Sequence, residues 1–307
     1  MKKIELSIIY VYYYSSPYIE ESIRSVLKKV TNIEFEIIVV VNGGDIDYIN
    51  NIPKISNNIR IIFNKNNSGF GSANNIGFGY SKGNHILILN PDTYFEQLEI
   101  DNLIYRISQD KQYGIAICKL LTKDNKVQRN NIYKRYNILI IILELFFLFR
   151  LPLIKNLFYL KSDFEKEQNP VVISGAFMLF KREIYENLKG FDEKFFMYGE
   201  DKDICLRASK ITKIFYSPLD TVIHIGDSSL GNEASMGKLQ MMYSSQIKNV
   251  EKNFGTFAKS ILYLSYFSNA LLFLPLSYLI NINEYKILLH NRSIVFFKLI
   301  FNYKKNI

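Results

Sequence analysis

Residues Asn64 to Thr93 read NKNNSGFGSANNIGFGYSKGNHILILNPDT, and this stretch decides the fold. A polar, glycine-bearing loop, Asn64–Gly71, leads into a helical pattern over Ser72–Lys82; the apolar run His85–Leu89 follows, and Asn90-Pro91-Asp92 ends it. A short apolar run bounded by turn residues is the pattern of a strand buried on both faces. Working outward, further strands are predicted at Leu6–Tyr10, Glu36–Val41, Arg60–Phe63 and Gly114–Cys118, with helices at Tyr18–Lys29, Ile46–Ile55 and Leu98–Gln109. Such alternation predicts an α/β fold, a mostly parallel sheet with helices on both faces. Ligands of such sheets bind beyond the carboxyl ends of the strands. The polar stretches Tyr12–Ser16, Asn42–Asp45, Asn64–Gly71 and Asn90–Thr93 all fall there.

With 307 residues, 48% hydrophobic and 22% charged, the chain can bury one large core and is not a disordered or fibrous sequence. Cys118 and Cys205 lie far apart and form no metal-ligand pair, which fits a reduced, cytoplasmic setting. The start MKKIELSIIYVYYY has the lysines of a signal peptide, but Glu5 interrupts it and no small-residue cleavage site follows. A net charge of +9 admits anionic partners. The basic residues are dispersed, without an RNP motif, zinc finger or helix-turn-helix pattern, so nucleic acid is not expected as a partner.

From residue 121 to 168 the pattern changes to a basic and hydrophobic insert around ILIIILELFFLF, Ile138–Phe149, too short to span a bilayer and carrying Glu144. The α/β pattern returns with VVISGAFMLFKREIY and the strand Lys213–Tyr216. A catalytic domain is therefore expected over 1–230 and a helical C-terminal extension over 231–307. The uncharged stretch 260–283 is long enough to span a membrane. Ser265, Ser268, Asn269, Pro275 and Ser277 interrupt it, and the tail beyond carries Lys286, Arg292, Lys298, Lys304 and Lys305, so attachment at the interface fits better than a crossing.

FMYGEDKDICLR, Phe196–Arg207, heads a helix with Glu200, Asp201 and Asp203. Acids are favoured in any first helical turn, and Asp203 with Arg207 reads as an ordinary surface ion pair. Asp201 instead shares the spacing of Ile204, Cys205 and Ala208, the face predicted to turn inward.

Together these stretches resemble the inverting glycosyltransferases of family 2, which have the Rossmann-like GT-A fold, and most closely the rhamnosyltransferase-like branch. The resemblance rests on Asn64–Gly83, ILILNPDT (Ile86–Thr93), Ile173–Arg207 and IHIGDSS (Ile223–Ser229), and covers about the first 230 residues. It implies transfer of a sugar, rhamnose being the one the branch suggests, from a nucleotide-diphosphate donor to a lipid-linked or polysaccharide acceptor. The place of action it implies is the cytoplasmic face of the plasma membrane, with the protein bound peripherally during bacterial surface-glycan synthesis. It also implies a divalent metal, Mn or Mg, held by Asp92 and by His224, the histidine after the last core strand. Asn90 stands where the usual Asp-x-Asp motif has its first acid. As base the resemblance points to Asp201, with Glu200 as the alternative. Donor contacts are expected from Tyr12, Tyr14, Asn42 and Asn90, from the loop residues Gly69, Phe70, Gly71, Asn74 and Asn75, and from the small residues Ser174, Gly175 and Ala176.

The match departs from the family pattern at two places. Tyr12-Tyr13-Tyr14 replaces the usual Thr-Tyr-Asn, and Val41 in VVNGGD replaces an Asp that hydrogen-bonds the nucleobase. A valine accepts no hydrogen bond, so stacking on Tyr12 or Tyr14, or a reach by Asp45, would have to compensate. These losses suit a second reading, a degenerate GT-A domain acting as a non-catalytic binding or assembly partner. A third, a nicotinamide-dependent oxidoreductase, draws on GFGSAN, which lacks the third glycine of a dinucleotide fingerprint and follows the third strand rather than the first.

Overall fold

The computed structural model describes residues 3–128, 132–148, 151, 164–226, 235–280 and 282–301. These residues pack as two compact units. One takes Met1–Lys134, Tyr159–Phe196 and Glu200–Ser229; the other takes Arg135–Phe158, Met197–Gly199 and Leu230–Ile307. The described part of the apolar run in the 121–168 insert thus groups with the C-terminal helices rather than with the first unit.

The first unit is built on one eight-stranded sheet. Its strands are β1 (Leu6–Tyr12), β2 (Phe35–Val41), β3 (Ile59–Phe63), β4 (His85–Leu89), β5 (Thr93–Gln97), β6 (Tyr113–Leu121), β7 (Phe177–Lys181) and β8 (Lys213–His224), in the order β3-β2-β1-β4-β7-β6-β8-β5. Strands β1 to β4 run parallel, as do β6 and β8. All residues of β1 and β4 are buried, which accounts for their predominantly apolar sequences, broken only by Ser7 and His85.

Two strands depart from the parallel rule. β7 runs antiparallel to β4, with Leu89 opposite Phe177 and His85 opposite Lys181. The residues entering β7 therefore lie at the same sheet edge as those leaving β4. β5, too short and polar to register as a strand in the sequence, pairs antiparallel with β8 and sets Thr93 opposite His224. β8 itself runs well past Tyr216, because a register shift between Cys118 and Lys119 of β6 absorbs the residues between Ser217 and Thr221.

Helices α1 (Tyr18–Lys29), α2 (Ile46–Ile49), α3 (Phe70–Tyr80), α4 (Ile100–Gln109), α6 (Arg182–Asn187) and α7 (Glu200–Ala208) also belong to this unit, and α5 (Ile138–Leu145) belongs to the other. α1 has the expected amphipathic form, with Ile19, Ile23 and Val26 buried, acids in its first turn and lysines in its last. The expected helix 46–55 is instead the short α2 followed by a 3-10 turn over Ile52–Lys54, broken where Pro53 removes a donor. α3 buries Gly71, Ser72, Ala73, Asn74 and Gly77, a face of small residues that lets it lie close on the sheet.

The second unit contains α5 (Ile138–Leu145), α8 (Met236–Leu279) and α9 (Asn283–Phe301). α8 breaks at Gly255, whose φ is 89°. Tyr266 of α8 stacks on Phe296 of α9 with centroids 4.2 Å apart, and Asn269 Nδ2 donates to Leu145 O at 2.7 Å. Among the described residues α8 is the one helix long and apolar enough to cross a membrane, and a third of its most apolar window is buried. Leu264, Leu271, Leu272, Leu276, Tyr278 and Leu279 are exposed along it.

Candidate active site

The ends of β1 to β4 and the start of β7 share one edge of the sheet, and the sequence-predicted polar groups collect there. Asn90 N donates to Ala176 O (3.0 Å) and Thr93 N to Asn90 O (3.1 Å), so Asn90–Thr93 is a tight turn tied to the entry of β7. That turn buries Asp92, 4% exposed. Gly226 N donates to Asp92 Oδ2 (3.1 Å) and Ile225 N to Asp92 O (3.1 Å), locking the acid to the residues after β8. His224 Nε2 lies 3.5 Å from Asp92 Oδ1 and 3.5 Å from Asn90 Nδ2. Burial lowers the His224 pKa against the opposing pull of the Asp92 charge, which favours a neutral imidazole.

A further residue, absent from the sequence reading, completes this group. β6 ends at Leu121, a turn closed by Thr122 N donating to Lys126 O (2.7 Å) reverses the chain, and Gln128 N then donates to Leu120 O (2.8 Å). The Gln128 side chain meets His224 twice: Oε1 stands 2.9 Å from Nδ1, and Nε2 donates to the backbone O of His224. The only sequence signal for it is the polar turn TKDNK, which predicts a chain reversal but no partner.

On the other side stands α7. Asp201 is half-buried and its Oδ1 accepts from Lys202 N at 2.8 Å. Glu200 is 6% exposed, with Oε2 buried and unpartnered. Burial first, and the charge of Asp201 second, push the Glu200 carboxyl up to about 8, so it is protonated at neutral pH and ill suited to accept a proton. Asp203 corrects the expectation of a surface pair. It is fully buried, and Arg207 Nε donates to it at 2.8 Å while Nη2 donates to Gly190 O at 2.9 Å. The inward face of α7 thus carries Glu200, Asp203, Ile204, Cys205 and Ala208, and Asp201 sits at its margin.

Gly175 joins the two sides. A Cβ placed on it would lie 3.6 Å from the Asp201 Cβ and 3.5 Å from the Phe70 ring, while its neighbour Ala176 holds Asn90. Ser174, 9% exposed, accepts from Ala176 N at 3.2 Å and shapes this bend. Gly69 has φ 86°, and a Cβ there would stand 2.1 Å from Phe196 O, while Phe70 N donates to that same oxygen at 3.0 Å. Only glycine fits. Gly71 is similarly pressed, its notional Cβ 2.9 Å from the Phe191 Cβ and 3.6 Å from the Glu200 Cβ.

Several residues expected to contact the donor are held by hydrogen bonds within the protein. Asn42 is 3% exposed; its Oδ1 accepts from Asn64 Nδ2 (2.9 Å) and Ser68 N (3.1 Å), and its Nδ2 donates to Asn67 Oδ1 (2.7 Å). Asn75 Oδ1 accepts from Tyr185 Oη and Phe191 N, each at 2.9 Å, and its Nδ2 donates to Phe191 O and Glu193 Oε1. Asn74 Nδ2 donates to Phe70 O, leaving Oδ1 buried and unpartnered. Tyr12 is fully buried with its hydroxyl 2.7 Å from Ser16 Oγ, so it offers no face for stacking. Asp45 caps α2, accepting from Tyr48 N at 3.0 Å, rather than reaching toward a base. Tyr14 alone of the predicted aromatic residues is open, 65% exposed, with the Tyr13 ring edge-on at 5.0 Å.

Residues 7–189 match the family model described as Glycosyl transferase family 2. The chain belongs to this family. Among curated glycosyltransferases, the rhamnosyltransferase WbbL of Escherichia coli is 28% identical over 167 residues, covering 51% of this chain and 60% of that protein. The low-salt glycan biosynthesis hexosyltransferase Agl10 of Haloferax volcanii is 26% identical over 219 residues, covering 67% of this chain and 62% of that protein. The matches thus span about three fifths of these relatives' length. Among solved structures, the mannosyltransferase PcManGT of Pyrobaculum calidifontis, determined with GDP-Man and Mn2+, superposes with a TM-score of 0.59 at 13% identity over 99% of this chain and 88% of that one. This likeness establishes the GT-A fold.

For a family 2 glycosyltransferase the Asp92–His224 pair could supply two of the ligands of a divalent cation. A carboxylate oxygen and an imidazole nitrogen face each other at 3.5 Å, a set that suits Mn. Among the described residues no cluster of three or more His, Cys, Asp or Glu exists, so water and ligand oxygens would have to complete the shell.

Proposed function

We propose that the protein is an inverting glycosyltransferase that moves a sugar, rhamnose in the first instance, from a nucleotide-diphosphate donor to a lipid-linked or polysaccharide acceptor in bacterial surface-glycan synthesis. The observation that carries this reading is the linkage Asp92–Asn90–Ala176–Gly175–Asp201, which ranges a candidate metal carboxylate and a candidate base around one small-residue bend.

Asp201 is the base in this reading. It takes the proton of the acceptor hydroxyl as that oxygen bonds to the anomeric carbon, and the bond from that carbon to the diphosphate oxygen breaks on the opposite face. One displacement needs one base, and Glu200, held protonated, is left as a neutral neighbour. Asp92 and His224 would hold the divalent cation, which supplies positive charge opposite the departing diphosphate. Gly175 keeps a side chain away from the space beside Asp201, and Tyr14 offers the nucleobase an aromatic face in place of the hydrogen bond that Val41 cannot make.

The exposed apolar residues of α8 support peripheral attachment at the cytoplasmic face of the membrane, where a lipid-linked acceptor would be presented. Incubating the protein with Mn2+, a panel of nucleotide sugars and a polyprenyl-diphosphate-linked acceptor, and following nucleotide release and product, tests the whole reading. Turnover abolished by Asp92→Ala and strongly reduced by Asp201→Asn is expected. The buried Tyr12 and the apolar Val41 favour the second reading, a non-catalytic GT-A partner; nucleotide-sugar binding without any turnover across the panel would select it.

A further inference from the structure

Gln128 accounts for a feature of His224 that the metal pair by itself leaves open, namely which ring nitrogen carries the proton. The backbone oxygen of His224 can only accept, so the Gln128 group facing it must be the amide N–H, which sets Oε1 toward the ring. Oε1 can only accept as well. Of the two neutral tautomers, only the one protonated at Nδ1 completes the 2.9 Å bond. The lone pair then lies on Nε2, the nitrogen 3.5 Å from Asp92 Oδ1. Asn90 Nδ2, 3.5 Å away, can donate to that lone pair, while Asp92 Oδ1 faces it as a second acceptor, an arrangement that a cation relieves. The turn closed by Thr122 and Lys126, with the bond from Gln128 N to Leu120 O, anchors the glutamine on the edge of the sheet.

We infer that Gln128 is a positioning residue for metal binding: it fixes His224 as the Nδ1–H tautomer and turns Nε2 toward the cation shared with Asp92. This rests on the reading of Asp92 and His224 as the metal pair. Outer partners of this kind typically change metal affinity about 10–100-fold when removed.

The chain has three histidines, so ring 15N spectra of histidine-labelled, metal-free protein at a pH where His224 is neutral can be assigned by comparison with His85→Gln and His290→Gln. The parent protein should show the Nδ1–H form at His224, and Mn2+ titration by electron paramagnetic resonance should give saturable binding. Gln128→Leu should weaken the tautomer preference, leaving only the Asn90 Nδ2 contact to support it, and weaken Mn2+ about 10–100-fold, with an unchanged circular-dichroism spectrum. Gln128→Glu, whose carboxylate still accepts from Nδ1–H, should recover the tautomer and most of the affinity. An Nε2–H form in the parent protein overturns the inference whatever the metal does. So does a Gln128→Leu variant that binds Mn2+ as the parent does, or a Gln128→Glu variant no better than the leucine. Absence of Mn2+ binding by the parent itself overturns the metal pair beneath it, and is told apart because no substitution is then involved.

Discussion

Gly175 borders Asp201 so closely that a Cβ on the glycine would make ordinary van der Waals contact with the Cβ of the acid, 3.6 Å away, and with the ring of Phe70 at 3.5 Å. Alanine therefore fits, and anything longer must press on the Phe70 ring or the Asp201 side chain. Gly175→Ala is expected to keep the parent melting temperature and donor affinity. Gly175→Leu is expected to fold but to lose donor binding and turnover, as read by calorimetric titration of nucleotide sugar.

Asp201→Asn removes the proton acceptor while keeping shape. Loss of a general base costs about 10²–10⁴ in rate, so kcat should fall by that factor while the donor dissociation constant stays within about twofold. Glu200→Gln should leave kcat close to the parent value at neutral pH, because the parent carboxyl is already uncharged there. A collapse of kcat in the glutamine variant with Asp201→Asn still active would exchange the two roles.

The same Glu200 predicts a pH dependence of stability. Its carboxyl rises from 4.5 to about 8 on folding, first through burial and then through the Asp201 charge. Between those values the folded protein binds more protons than the unfolded chain, so stability declines as pH rises through the window. Glu200→Gln should flatten this slope. Urea unfolding at pH 5 and pH 8 measures it, and a variant that keeps the parent's slope would remove Glu200 as the cause.

Asp203 and Arg207 hold α7 to the Leu188–Gly190 turn. Asp203 is fully buried, and removing Arg207 would take away the guanidinium that faces its carboxylate at 2.8 Å and that also binds Leu188 O and Gly190 O. Arg207→Met is expected to destabilise by about 3–5 kcal/mol, whereas the double change Asp203→Leu with Arg207→Met should recover much of the loss. Chemical denaturation of the three variants tests this.

Two glycines of one segment should respond oppositely. Gly69→Ala drives a Cβ into Phe196 O at a positive φ and should cost more than 1 kcal/mol. Gly79→Ala, on the exposed side of α3 with nothing within 4 Å, should stabilise by about 0.5–1 kcal/mol. Thermal melts of the pair are sufficient.

Much of the fold was legible before the structure. Strands β1, β2 and β4 show in the sequence because strands largely buried on both faces are mostly apolar, and α1 because a helix at the surface must alternate faces. β5 was missed, and β8 read short, since a polar edge strand and a bulged one carry no such pattern. At the site, Asp92, His224 and Asp201 stood out by their places in the motifs. Asn42, Asn75 and Tyr12 look equally like ligand contacts in one dimension. Their hydrogen bonds show that they tie loops together.

By itself the sequence determined the layers, the strand ends at which chemistry can gather, and the family, because these follow from periodicity and from motifs in order along the chain. Only the tertiary structure decided that Asp203 lies inside, that Glu200 holds its proton, and that Gln128 grips His224. Burial and hydrogen-bond partners are set by residues distant in sequence, Gln128 and His224 standing 96 apart, and no local pattern records them.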